Sequence, residues 1–80
     1  MTTDTSTPIY RITVQGRVDH TWSESLAGLD ITADETSYAY PVSVLTGPLA
    51  DQSMLHGVLD LLFMLNLTLV HVERGQEADR

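Results

Sequence analysis

The chain has 80 residues, enough for one domain, and a domain of this size buries only about 60% of the surface that its unfolded chain exposes. It contains no cysteine, which excludes disulfides, thiolate catalysis and cysteine-ligated metal sites. Eleven Asp and Glu residues against four Arg give a formal net charge of -7, which disfavours binding to nucleic acid or to an anionic membrane surface.

The first ordered element is predicted to be a β-strand over residues 9–18. Apolar and polar side chains alternate along it, the pattern of a strand with one buried and one exposed face. The polar residues 1–8 before it are expected to form a disordered tail. The polar face of the strand carries Arg11, Thr13, Gln15 and Arg17.

A short helix is predicted after this strand. Thr21 and Glu24 stand three residues apart, as in a capping box, in which the Thr hydroxyl accepts the backbone N–H of Glu and the Glu side chain reaches back. We expect the helix to cover residues 22–27 and to end at Gly28, because a helix often ends at a residue with positive φ and glycine adopts it without steric cost.

Two further strands are predicted in the middle of the chain. Residues 29–33 alternate between apolar and polar, and residues 38–44 place tyrosines and valines on one side. Pro41 has no backbone N–H, so we expect it at a sheet edge or with its nitrogen facing away from the neighbouring strand. Gly47 and Pro48 are expected to break the strand.

The main helix is predicted over residues 52–65, with Asp51 as its N-cap and Asn66 closing it. A last strand over residues 67–74 has apolar side chains on both faces, so we expect it in the centre of the sheet. Residues 75–80 are expected to form a second disordered tail.

The order strand, short helix, strand, strand, helix, strand predicts one α+β domain over residues 9–74 with the ferredoxin-like βαββαβ arrangement. Because the first helix is very short, the four-stranded, mainly antiparallel sheet should be covered on one face by the main helix. A sheet that carries one helix only is the alternative. In both cases the second face of the sheet has no element left to cover it.

The C-terminal half of the main helix is apolar all round. Beyond the stripe expected to face the sheet, Leu61, Phe63 and Met64 continue the apolar run around the helix. Exposing Phe63 and Met64 would forfeit roughly 1.5 to 3 kcal/mol each relative to full burial. We therefore predict that these three residues form the interface of a homo-oligomer, with a different protein partner or an exposed patch on a monomer as alternatives.

Part of the chain resembles a widespread family of short prokaryotic proteins. The shared segment, G-P-x-x-D-Q-x-x-L-H-G, is residues 47–57 here, and the resemblance extends over roughly residues 10–74. No activity is established for that family. The resemblance therefore implies a single domain and assigns no catalytic residue.

Five polar side chains are candidates for a ligand or proton-transfer site. His56 and Asp60 are four residues apart on the helix and so share a face. His20 lies at a strand end, and Arg11 and Arg17 could contact an anion from the open face of the sheet. These groups can act together only if they line one concave pocket. No phosphate loop, catalytic triad or metal motif is found in the sequence, so no metal and no cofactor are predicted.

These observations favour a small, non-enzymatic, self-associating structural or regulatory protein. A small-ligand sensor or minor enzyme using the open sheet face is one alternative. Another is an acidic mimic of nucleic acid, which would present its carboxylates in a spaced row formed by Asp19, Asp30, Asp34 and Glu35. The longest apolar run is about half of the ~20 residues that a membrane crossing needs, and the first residues lack a signal-peptide pattern, so a cytoplasmic protein is expected.

Overall fold

The structure is a computed structural model that describes residues 7–75. Its sheet is open and antiparallel, with the strand order β2-β3-β1-β4. The predicted α+β domain with a four-stranded antiparallel sheet and one main helix is confirmed. The elements in chain order are β1 (Ile9–Gln15), two 3₁₀ turns (His20–Trp22 and Glu24–Leu26), β2 (Asp30–Asp34), β3 (Val42–Pro48), α1 (Gln52–Met64) and β4 (Thr68–Gly75).

The core lies between α1 and one face of the sheet. Ile12 and Val14 of the central strand β1 are fully buried, and they pack in one cluster with Leu45 of β3 and Leu62 of α1. Leu26, from the second 3₁₀ turn, closes the same cluster. The alternation predicted for β1 therefore holds, with its apolar side facing α1.

Helix α1 begins and ends as predicted, within one residue. The Asp51 carboxylate accepts the backbone N–H of Met54 at 3.0 Å, which satisfies one of the free donors of the first turn. At the other end Asn66 adopts φ 65°, and the backbone N–H groups of Asn66 and Leu67 donate to carbonyls of the last turn. This is the Schellman arrangement, in which a left-handed residue ends the helix.

The helix predicted over residues 22–27 is wrong, and two 3₁₀ turns take its place. Asp19 caps the first turn by accepting the backbone N–H of Thr21 at 3.1 Å, so the chain turns before the proposed capping box begins. Ala27 and Gly28 are both left-handed, with φ 60° and 74°, and they stop the backbone from continuing as a helix. The positive φ predicted for Gly28 is confirmed.

Strand β3 lies four residues later than the predicted range of 38–44. Pro41, which cannot donate a ladder hydrogen bond, stands directly before the strand rather than within it. Gly47 and Pro48 do not break the strand but are its last two residues, with Pro48 in register with Ile9. The tyrosines of the predicted strand consequently lie in the preceding loop.

The shift of β3 also exchanges its two faces. Leu45 is in register with Ile12 and faces the core, whereas Val42 and Val44 are opposite Gln15 and Thr13 on the face away from α1. Side chains alternate along a strand, so a change of phase by one residue moves every side chain to the other face.

Strand β4 is an edge strand, so the prediction that it is central is wrong. Its pairing with β1 shifts register between Thr13 and Val14, which marks a β-bulge. Because of the extra residue, Leu69 and Val72 both pack against the core although they are three residues apart. The sequence places apolar residues on both faces of β4 because of the bulge, and not because the strand is central in the sheet.

Strand β1 ends at Gln15, three residues before the predicted end. Gly16 has φ 107°, a conformation that favours glycine, and its backbone N–H donates to the carbonyl of Pro41 at 2.9 Å. This hydrogen bond ties the end of β1 to the start of β3.

The predicted tails, residues 1–8 and 75–80, lie mostly outside the described residues. Of the described ones, Pro8 accepts the backbone N–H of Leu49 at 3.2 Å, and Gly75 is the last residue of β4. Pro8 and Gly75, each one residue beyond the predicted range 9–74, thus take part in backbone hydrogen bonding or strand structure.

Gly47 lies so close to Leu29 that an alanine does not fit without movement. A Cβ at this position would be 2.8 Å from Leu29 Cδ2 and 3.6 Å from Leu29 Cα, and Leu29 is only 1% exposed. We expect Gly47→Ala to lower the free energy of unfolding by about 1 to 3 kcal/mol, the usual cost of overpacking a core. Urea denaturation measures this, and an unchanged midpoint would show that Leu29 can shift without cost.

Candidate functional site

The side of α1 that faces away from the sheet is polar over its first two turns and apolar over its last. Val58 and Leu62 are buried on the inner side, whereas Phe63 and Met64 remain 53% and 79% exposed. The exposed side is called the outer face below. It consists of Gln52, Ser53, His56, Gly57, Asp60, Phe63 and Met64.

The polar part of the outer face is a shallow depression of about 490 Å³, called the helix hollow below. Its lining residues are Gln52, Ser53, His56, Gly57 and Asp60. A Cβ on Gly57 would meet no heavy atom within 4 Å. Glycine inside a helix costs about 1 kcal/mol relative to alanine, and packing among residues 7–75 gives no reason for that cost.

His56 and Asp60 lie on the same face, as their spacing predicts. The His56 Nδ1 atom is 3.8 Å from the Asp60 Oδ2 atom, and the two side chains are 81% and 66% exposed. A contact between two such exposed polar groups contributes little to stability in an isolated chain. The pair is therefore available to contacts from outside the chain.

The three residues of the predicted interface differ in their surroundings. Phe63 and Met64 belong to the outer face, whereas Leu61 is partly buried and packs against the core. The exposed apolar surface of the last turn is consequently formed by Phe63 and Met64. Ser53 belongs to the same face and was missed in the sequence, although its spacing to Gly57 is the four-residue step that places two side chains on one side of a helix.

Arg17 and His20 meet in a second concavity, of about 430 Å³, between the first 3₁₀ turn and β2. The Arg17 guanidinium forms an ion pair with the Glu35 carboxylate, and both groups are more than half exposed. Ser43, which also lines this concavity, donates its hydroxyl to the carbonyl of Gly16 at 2.8 Å and accepts the backbone N–H of Val18 at 2.9 Å. The buried hydroxyl of Ser43 is thus satisfied by the backbone and has a structural role.

Arg11 lies on the face of the sheet away from α1, called the open face below. It is in register with Thr46 of β3 and Glu73 of β4. Thr13 on the same face is buried, because its neighbours Val44 and His71 flank it on both sides. The five candidate polar residues therefore lie in three places: His56 and Asp60 on α1, Arg17 and His20 in the second concavity, and Arg11 on the open face.

Two of the acidic side chains proposed for a spaced row cap local turns. The Asp34 carboxylate accepts the backbone N–H groups of Thr36 and Ser37, each at 3.0 Å, and these bonds hold the pKa of Asp34 below its ordinary value. The pKa of Asp19 is lowered in the same way, chiefly by the backbone N–H of Thr21. Both carboxylates are thus engaged within their own loops.

Asp34→Ala is expected to lower the urea midpoint at pH 7. Because folding lowers the pKa of Asp34, the carboxylate stabilises the fold above the pKa of the unfolded chain, about 4, and this contribution is lost as the pH falls through the lowered pKa. The gap between wild type and Asp34→Ala should therefore shrink at about pH 3. Asp34→Asn, which keeps the acceptor atom, serves as the control; a gap that is equal at both pH values would show that the charge contributes nothing.

Among residues 7–75, no group of three or more His, Asp or Glu side chains is arranged to hold a metal ion. The helices in this range include none with the length and apolar character needed to cross a membrane. The polar residues singled out in the sequence lie on the outer face of α1, in the second concavity and on the open face.

One comparison with known proteins gives a match. A family model described as "Domain of unknown function (DUF8691)" matches residues 9–73, from the first residue of β1 to near the end of β4. No curated protein and no solved structure matches the chain. The match agrees with the resemblance to a family without an established activity.

Proposed function

We propose that this chain, which belongs to the family described as "Domain of unknown function (DUF8691)", is a non-enzymatic structural or regulatory module that self-associates through the outer face of α1. The observation that carries the proposal is the exposure of two large apolar side chains, Phe63 and Met64, on the last turn of the main helix. A second copy of the chain is the simplest surface that could bury them.

Phe63 and Met64 still expose more than half of their surface to water. Full burial of a Phe or Met side chain contributes roughly 1.5 to 3 kcal/mol, so the exposed fractions of Phe63 and Met64 leave roughly 1 to 2 kcal/mol each to be gained. This is a substantial gain for a domain whose total stability is on the order of 10 kcal/mol. Association also supplies the stabilisation that disulfides cannot give to a chain without cysteine.

The size of the helix sets the expected affinity. At 1.5 Å per residue α1 is about 20 Å long, and two such helices form an interface at or below the lower end of the range for stable complexes. We therefore expect association in the micromolar range, which would let the oligomeric state respond to the concentration of the protein.

The dispersed polar side chains support a role without catalysis. General acid–base chemistry needs its groups within hydrogen-bond reach of one substrate position. The five candidates occupy three separate surfaces in the part of the chain that the structure describes. The alternative of a sensor or minor enzyme that uses all five together on the open face has no support from this arrangement.

Cysteine labelling tests the proposal directly, because the chain has no native cysteine. In Met64→Cys the alkylation rate should fall as the protein concentration rises, since association covers this position. Ala39→Cys, in the exposed loop before β3, is the matched control and should react at one rate throughout. If both variants are labelled at concentration-independent rates, the outer face stays open and the proposal fails.

A second candidate function is the binding of a small anion in the concavity that holds Arg17 and His20. The observation in its favour is that two of the predicted polar residues meet there. Binding would have to compete with the ion pair between Arg17 and Glu35. Titration with inorganic phosphate, followed by NMR, should shift the signals of Arg17 and His20 to saturation, and Arg17→Gln should abolish the shifts; unchanged spectra would remove this candidate.

We also propose the ferredoxin-like arrangement for this fold, with its first helix reduced to the two 3₁₀ turns. Its support is the sheet order, in which β3 lies between β1 and β2 and is antiparallel to both. β1 and β2 are therefore parallel to each other, as in a split βαβ unit. A solved structure with β3 at an edge of the sheet would remove this classification.

The segment G-P-x-x-D-Q-x-x-L-H-G over residues 47–57 is proposed as a signature of the family. Gly47 packs on Leu29, Asp51 caps α1 and Gly57 opens the helix hollow, so three of its positions have a physical role here. An alignment of family members in which these positions vary freely would contradict the proposal.

A further inference from the structure

We infer that two copies of the chain pair α1 against α1 in antiparallel orientation, about a two-fold axis near residue 58, so that the apolar last turn of each copy sits in the helix hollow of the other. This inference rests on the proposed self-association and adds its geometry. It is carried by the self-complementary outer face, on which a depression and an apolar protrusion lie at opposite ends.

The side chains are placed correctly for this exchange. At 100° per residue, Ser53, Gly57 and Met64 fall along one flank of the outer face, and Gln52 and Phe63 fall along the other. A two-fold axis perpendicular to the helices brings each flank against the same flank of the second copy. Met64 therefore faces Ser53 and Gly57 of the other copy, and Phe63 faces its Gln52.

The polar side chains His56 and Asp60 of the outer face fit the same register. His56 and Asp60 lie at equal distances on either side of residue 58, so the axis sets the histidine of each copy against the aspartate of the other. A parallel pairing would instead set histidine against histidine and aspartate against aspartate. A histidine N–H can donate to a carboxylate across an interface whereas two carboxylates repel each other, so this register favours the antiparallel orientation.

Gly57 gains a role in this arrangement. It adds no side chain to the floor of the hollow, and a Cβ placed on it would point into open space in the single chain. In the pair, that space receives the Met64 side chain of the second copy. The glycine would thus permit the close approach between chains for which the single chain shows no need.

The arrangement also closes on itself. The helix hollow and the apolar last turn belong to the same face of α1. A single two-fold axis therefore places the last turn of each copy in the hollow of the other, and neither hollow stays empty. A different protein partner would need to supply both an apolar protrusion and polar groups complementary to His56 and Asp60. A second copy already carries them at the required spacing.

Disulfide formation in the double variant Ser53→Cys with Met64→Cys tests the register. The two positions are about 16 Å apart along one helix, too far to bond within a chain, but they face each other across the proposed axis. Mild oxidation should give a covalent dimer in high yield. Each single variant should give none, because Ser53 and Met64 each lie at least about 15 Å from their own symmetry mate.

The outcomes separate the register from the association itself. A wild-type protein that associates while the double variant fails to cross-link would overturn the antiparallel pairing and leave the proposed function standing. A covalent dimer from Met64→Cys alone would overturn it as well, since it indicates parallel helices. A wild-type monomer at all concentrations would overturn both.

Gly57→Ala gives an independent test through opposite effects on folding and on association. In a monomeric Phe63→Asp, Met64→Asp background it should raise the melting temperature by about 5 °C, because alanine is the better helix former and none of the described residues obstructs it. In the wild-type background it should weaken association by about tenfold, because the methyl group fills the space required by Met64. Association unchanged by Gly57→Ala would contradict the inference.

Discussion

Replacing Phe63 and Met64 together by aspartate is expected to convert the self-associated protein into a folded monomer. Two copies carry four of these side chains, and their remaining burial corresponds to roughly 5 kcal/mol, or between three and four orders of magnitude in the dissociation constant. Placing carboxylates there adds the cost of removing charge from water. Sedimentation velocity measures the loss, and circular dichroism should report an unchanged fold, because both positions lie outside the core.

The matched control is Tyr38→Asp with Ala39→Asp. This pair is also adjacent, exposed and partly aromatic, and it adds the same charge, but it lies in the loop between β2 and β3. It should associate like the wild type. Equal loss of association in both double variants would mean that added negative charge, on a chain that already carries -7, and not the apolar turn, governs assembly.

Ile12→Ala is expected to produce the largest loss of stability of any substitution considered. Ile12 is fully buried in the central strand, in register with Leu45 on one side and Val72 on the other. Removing its side-chain atoms costs about 2 to 5 kcal/mol, and the whole domain holds only on the order of 4 to 12 kcal/mol. Urea denaturation at a fixed protein concentration should show a strongly lowered midpoint or an unfolded chain.

Two further substitutions serve as controls for Ile12→Ala. Ile12→Val keeps most of the side chain and should cost about 0.5 to 1.5 kcal/mol. Arg11→Ala changes the neighbouring residue, which is exposed on the open face, and should alter stability by no more than about 0.5 kcal/mol. If Ile12→Ala behaves like Arg11→Ala, the core does not lie between α1 and the sheet as described.

The parts of the fold set by neighbouring residues were predictable from the sequence. Asp51 before an apolar helical stripe fixed the start of α1, and Asn66 fixed its end, because caps act within one turn. The alternation in β1 gave its buried face. Each of these signals depends on residues only a few positions apart.

The errors concern features that depend on distant parts of the chain. The pairing of β3 with β1 determines which residues form the strand and which of its side chains face the core. The local alternation around Tyr40 therefore predicted the wrong range for β3 and the wrong buried face. The bulge in the pairing of β4 placed Leu69 and Val72 together, which the sequence pattern presented as a strand buried on both faces. Strand order and register are properties of the sheet that no single strand encodes.

In the candidate site, too, local features were predictable from the sequence and features that depend on distant residues were not. The exposure of Phe63 and Met64 follows from helical spacing, because an apolar run longer than one face must leave some members outside. The open space at Gly57 was not predictable, because no local pattern distinguishes a glycine that packs closely from one that leaves a surface open. The separation of Arg11 from Arg17, which share a polar pattern in the sequence, follows from the turn at Gly16.

Sedimentation equilibrium of the unmodified protein, from about 1 μM to about 1 mM, tests the central claim most directly. We expect a mass that rises with concentration towards two chains, with no larger species, because one pairing of the self-complementary outer face of α1 leaves no free copy of that face. A mass of one chain across the whole range would contradict it.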